Sequence, residues 1–73
     1  MNVFDLKMGE TARIKRIDLT GSALERLNSL GFKAGEQVEV LSYSLFKSGV
    51  LISCNAVRLG LRKPLALKIE VER

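Results

Sequence analysis

The chain reads as a mostly β fold: a small closed barrel of about five strands, carrying one short α-helix near residues 22–30. Three observations predict it. Apolar and polar residues alternate with period two in several short runs. Turn-forming residues punctuate those runs about every eight to twelve positions. Only one stretch, built on Leu24, Leu27 and Leu30, keeps the three-residue spacing that lines one face of a helix.

Taken in order, Asp5-Leu6-Lys7-Met8-Gly9-Glu10 opens on a turn at Gly9. Residues 11–17 alternate, with Ala12 and Ile14 on one face and Arg13 and Lys15 on the other, and Ile17 breaks the parity as a bulge or a strand end would. Asp18 to Gly21 is a loop, with Leu19 placed to staple the coming helix. Ser22 is the expected N-cap, and Glu25, three residues later, would complete a capping box. Gly31 stands where a left-handed residue ends a helix, and Gly35 where a type II turn needs positive φ.

Residues 37–44 form the second expected strand, with Val38, Val40 and Ser42 inward. A hairpin loop follows over 44–49, with Gly49 as its flexible corner. Residues 50–54 make a third strand, Asn55 marks a turn, and 57–62 alternate cleanly as a fourth. Lys63-Pro64 stops that strand, because proline has no N–H for the ladder. One helical turn over 65–67 leads to a last strand over 68–72.

The run Arg26-Leu27-x-x-Leu30-Gly31-x-x-x-Gly35-x-x-Val38-x-Val40 resembles the central signature of the FeoA family, small accessory proteins of bacterial ferrous iron transport. The resemblance extends to Leu6-Lys7-Met8-Gly9 and Ala12-Arg13-Ile14 on one side, and to Leu61-Arg62 and Ile69-Glu70-Val71 on the other. It covers nearly the whole chain. Ala34 departs from a proline usual before the second glycine, and Asn55 from a frequent glycine, both changes a turn accommodates. The resemblance implies an SH3-like barrel and a role in binding the membrane ferrous iron transporter, which carries a cytosolic GTP-binding domain.

Seventy-three residues, 47% of them hydrophobic, are read as one domain over 1–73. A lone cysteine excludes an internal disulfide. The N-terminus lacks the basic and apolar regions of a signal peptide, and no apolar run approaches the roughly 20 residues of a membrane span. A cytoplasmic domain is expected.

Chemistry of catalysis is sparse. Histidine is absent, Cys54 lies in an apolar run, and the carboxylates fall at no ligand spacing. Gly31-x-x-x-Gly35 lacks the Lys-Ser or Lys-Thr of a phosphate-binding loop. No enzyme activity, metal site or cofactor is expected. Binding remains.

The candidate partner surface comprises Arg26, Leu27 and Leu30 on the helix, Tyr43, Leu45 and Phe46 in or beside the hairpin loop, and Arg62. Arg26 is a solvated helix arginine or a donor to a partner carboxylate; Arg62, from the family's Leu-Arg pair, braces the barrel or touches the partner. Weak self-association is left open. The alternative is a small basic barrel binding nucleic acid, drawn from the net charge of +4 and the stripe Arg13, Lys15 and Arg16. Few aromatics and no basic recognition helix weigh against it. A stand-alone module like the C-terminal domain of metal-dependent repressors is a further possibility.

Overall fold

Alternation over residues 11–17 becomes strand β1 (Thr11–Ile17). The computed structural model describes residues 1–73. Ala12, Ile14 and Ile17 of β1 are buried, and a register shift between Ile14 and Arg16 explains how Ile17 regains the core despite its odd spacing. After it come helix α1 (Gly21–Ser29), β2 (Gln37–Tyr43), β3 (Gly49–Cys54), β4 (Val57–Arg62), the one-turn α2 (Lys63–Ala66) and β5 (Ile69–Glu72). The five strands pair antiparallel in one sheet of order β4-β3-β2-β1-β5. A second shift, between Val40 and Ser42, lies in β2. It ends the strict alternation there, so Ser42 is only half-buried rather than a core residue.

The helix departs from expectation at its start. It begins at Gly21, and no side-chain hydrogen bond caps it: Ser22 and Glu25 form no capping box. Gly21 instead takes φ +64°, turning the chain into the helix through backbone freedom rather than a side-chain oxygen. The capping box of this chain stands at its N-terminus. Asn2 Oδ1 accepts from Phe4 N–H at 2.8 Å, and Asp5 Oδ2 accepts from Asn2 N–H at 2.9 Å, closing a 3-10 turn at Val3–Asp5.

The end of α1 is as anticipated. Phe32 N–H bonds the Leu27 carbonyl at 2.9 Å and Gly31 N–H that of Asn28 at 3.0 Å, a Schellman pair closed by Gly31 at φ +99°. Of Leu24, Leu27 and Leu30, only Leu27 is buried; Leu24 is half-buried and Leu30 is exposed at the helix end.

Gly49 is not the flexible corner of its hairpin. It opens β3 with ordinary φ, and Phe46 and Lys47 take the positive φ instead. Sixteen hydrophobic side chains, Phe32 and Cys54 among them, make the core, and no polar side chain is buried. Any recognition chemistry therefore sits on the surface. The outer edge of β5 is covered: Asn2 bridges Glu70, and Val71 N–H donates to the Met1 carbonyl at 2.8 Å. No strand covers β4.

Candidate docking surface

The segment between β2 and β3 is short, and serine hydroxyls hold its shape. Ser44 and Ser48 Oγ atoms lie 2.9 Å apart, Ser48 Oγ donates to the Leu45 carbonyl at 3.3 Å, and Lys47 N–H donates to the Ser44 carbonyl at 2.8 Å. Ser44 N–H closes the loop onto the Gly49 carbonyl at 3.0 Å. Within this frame Phe46 sits at φ 61°, a conformation that costs a bulky residue energy. Its side chain is 92% exposed, and that of Leu45 is 79% exposed. Two adjacent large apolar groups are thus held out into solvent by an ordered loop.

Tyr43 does not belong to that exposed group. Its hydroxyl donates to the carbonyls of Leu6 and, at 3.2 Å, Val3, which ties the N-terminal turn to β2. Its ring meets Phe4 edge-on, centroids 5.2 Å apart, and Lys47 Nζ lies 4.4 Å from its centroid. Burial, then the charges of Asp5 and Glu10, push its phenol pKa up. Tyr43 supports the loop from below. Phe4 was not singled out by sequence reasoning, because nothing local pairs it with a residue about forty positions away.

A second apolar feature lies between α1 and β4. Leu27 and Leu30 of the candidate set line a groove of about 250 Å³ with Leu19, Leu59, Leu61 and Leu65. Arg26 stands on its wall, exposed and without an ion pair. Arg62 is also exposed and unpaired, and its side chain makes no hydrogen bond to a carbonyl, so the bracing role is not seen. The structure joins the helix residues to β4, but gives Arg62 to a different hollow, shared with Tyr43, Ser44 and Ser48.

The basic stripe on β1 is partly neutralised. Arg16 and Lys15 reach Glu70 at 3.1 and 3.9 Å, and Arg13 faces Glu72 in register. This lowers the field a phosphate backbone would meet. Cys54 is buried, donates its S–H to the Gly31 carbonyl at 3.4 Å, and has its pKa raised by burial, the setting of an inert thiol. No three Cys, Asp or Glu side chains gather in metal-holding geometry, and no helix is long and apolar enough to cross a membrane.

The family model of the FeoA domain matches residues 1–73, the whole chain described. The chain belongs to the FeoA family. Among solved structures, iron(II) transport protein A from Clostridium thermocellum is 33% identical with a TM-score of 0.89, covering 99% of this chain. This chain spans only 44% of that protein's length. A FeoA protein from Chlorobium tepidum is 27% identical with a TM-score of 0.90 over 97% of this chain and 68% of its own. Stenotrophomonas maltophilia FeoA, solved with zinc and described as a prokaryotic SH3 domain protein, is 25% identical with a TM-score of 0.82. It is covered over 99% of this chain and 89% of its own. No curated protein sequence matches. A manganese-dependent transcriptional repressor at 22% identity and TM-score 0.83 shares the fold alone.

The SH3-like architecture is therefore that of FeoA, a family associated with ferrous iron transport and not a known enzyme family. In this FeoA domain the features outside the core include the exposed Leu45–Phe46 loop, the apolar groove between α1 and β4, and the unpaired Arg26 and Arg62.

Proposed function

We propose that this FeoA domain acts in the cytoplasm as an accessory factor of bacterial ferrous iron uptake. It binds the membrane ferrous iron transporter, at its cytosolic GTP-binding part, by protein–protein contact. The observation that carries this reading is the loop that holds Leu45 and Phe46 at 79% and 92% exposure. Exposed aromatic and aliphatic groups in a preformed geometry are what a binding hot spot uses, since little ordering entropy remains to be lost. Family membership supports the iron-transport setting. In the proposal Leu45 and Phe46 anchor the contact, Tyr43 holds their loop, Leu27 and Leu30 add apolar surface, and Arg26 and Arg62 contribute charge at the rim.

The test is a binding isotherm with the transporter's purified cytosolic GTP-binding region. Phe46→Ala is expected to weaken binding about 10- to 100-fold, the loss of a hot-spot aromatic. Affinity should change little between low and moderate salt. Binding of Phe46→Ala at wild-type strength, or no binding by the wild type, defeats the reading.

A further inference from the structure

The sheet has two edges, and only one is closed. Residues 1 and 2 cover β5, as the Asn2–Glu70 bridge and the Val71–Met1 hydrogen bond record. Strand β4 has β3 on one side and no strand on the other. The two-residue turn Asn55-Ala56 makes Cys54 and Val57 the first bonded pair, so bonded pairs recur at Leu59 and Leu61. The amide of Lys63 bonding to Ser48 at 2.9 Å continues the same alternation. The N–H and C=O groups of Arg58 and Gly60 consequently point away from β3, and both residues are exposed. A Cβ on Gly60 would meet nothing within 4 Å, so the sheet face between Arg58 and Arg62 is open there.

The two faces of this edge differ chemically. On one, Leu59 and Leu61 open onto the groove completed by Leu27, Leu30 and Leu65. On the other, Arg58 and Arg62 stand opposite Ser53 and Gly49, with no carboxylate in register. All three ion pairs of the chain lie elsewhere, at Lys15, Arg16 and Arg73. Exposed apolar edges usually carry a device against pairing, and here cations flank an open backbone.

We propose that β4 accepts an extended partner segment as a sixth strand, one that alternates apolar and acidic residues. Alternate side chains of an added strand point to opposite faces. Its apolar residues enter the groove against α1, and its carboxylates meet Arg58 and Arg62. The site deepens the docking reading and rests on it only for which protein carries the segment.

The probes are two soluble decapeptides, alternating Glu-Val and alternating Lys-Val, titrated into isotopically labelled protein. With Glu-Val, the Arg58 and Gly60 amides should shift downfield and exchange with solvent at least about tenfold more slowly, as newly bonded amides do. Lys-Val should leave them unchanged. Gly60→Ala keeps the N–H and should bind as wild type. Gly60→Pro removes it on an edge that tolerates proline, and should lose at least about tenfold in affinity. Arg58→Glu combined with Arg62→Glu should reverse the preference between the peptides. Equal binding of both peptides, shifts confined to the Leu45–Phe46 loop, absence of binding, or undiminished binding by a folded Gly60→Pro would each overturn the proposal. Loss of transporter binding through Phe46→Ala, with the peptide response intact, bears on the docking reading alone.

Discussion

A Cβ placed on Gly49 would lie 2.9 Å from the carbonyl oxygen of Leu61, its near neighbour across the β3–β4 ladder. The glycine is needed for close approach of backbone, not for a positive φ. Because the atom it would strike is main chain, relief requires the strands to part. Gly49→Ala is expected to cost about 1–3 kcal/mol in denaturant unfolding, the cost of overpacking. Gly60→Ala, which meets nothing, should cost no more than about 0.5 kcal/mol.

The β3–β4 turn holds a residue its conformation disfavours. Asn55 at φ 51° tolerates the left-handed region, but Ala56 at φ 68° carries a Cβ there for no visible gain. Ala56→Gly should raise stability by up to about 1 kcal/mol, read as a higher unfolding midpoint at unchanged denaturant slope.

Tyr43 makes the fold sensitive to alkali. Its phenol pKa lies above the ordinary value of about 10, chiefly through burial and then through Asp5 and Glu10. Above that ordinary value the unfolded chain has lost a proton that the fold still holds, so stability falls as pH rises toward the folded pKa. Tyr43→Phe should flatten this alkaline slope. At neutral pH the same variant should cost about 1–3 kcal/mol, since the Leu6 carbonyl loses its donor while that of Val3 keeps the Leu6 N–H.

At the acid end the corresponding group is Glu10. Its carboxylate accepts the Lys7 N–H at 2.7 Å, the main cause of a lowered pKa, and pairs with Arg73 at 2.8 Å. A depressed pKa contributes stability above the unfolded value near 4.5, and that contribution is lost as pH falls through the folded one. Thermal melts of Glu10→Gln should show a shallower acid limb than the wild type.

Phe46 should reveal a trade between stability and binding. It is exposed at positive φ, so Phe46→Asn removes strain and little burial. The variant is expected to be as stable as the wild type or a few tenths of a kcal/mol more so, while partner affinity falls. Parallel unfolding and binding curves check it.

Much of this domain was legible before any coordinates. Period-two alternation placed most of the strands, because side chains on a strand leave for opposite faces whatever the partner, and the third was read from an apolar run between turn residues. Gly31 marked the helix end and Gly35 its turn, since positive φ is a local demand that glycine meets. Even the register shift between Ile14 and Arg16 showed as a break in parity at Ile17. The seven candidate residues were less uniform in their fate. Leu45 and Phe46 lie exposed together, whereas Tyr43 is half-buried under its loop and Arg62 sits over a separate hollow.

What the sequence by itself determined is the set of elements and the FeoA family, since both rest on residue types at short, fixed spacings. Only the tertiary structure decided which strand edge is covered, where the Leu59–Leu61 face meets α1, and why Gly49 is glycine. Those depend on residues distant in the chain meeting across the sheet. Chain closure joins Met1 to Val71 and Tyr43 to Leu6, contacts that local periodicity does not encode.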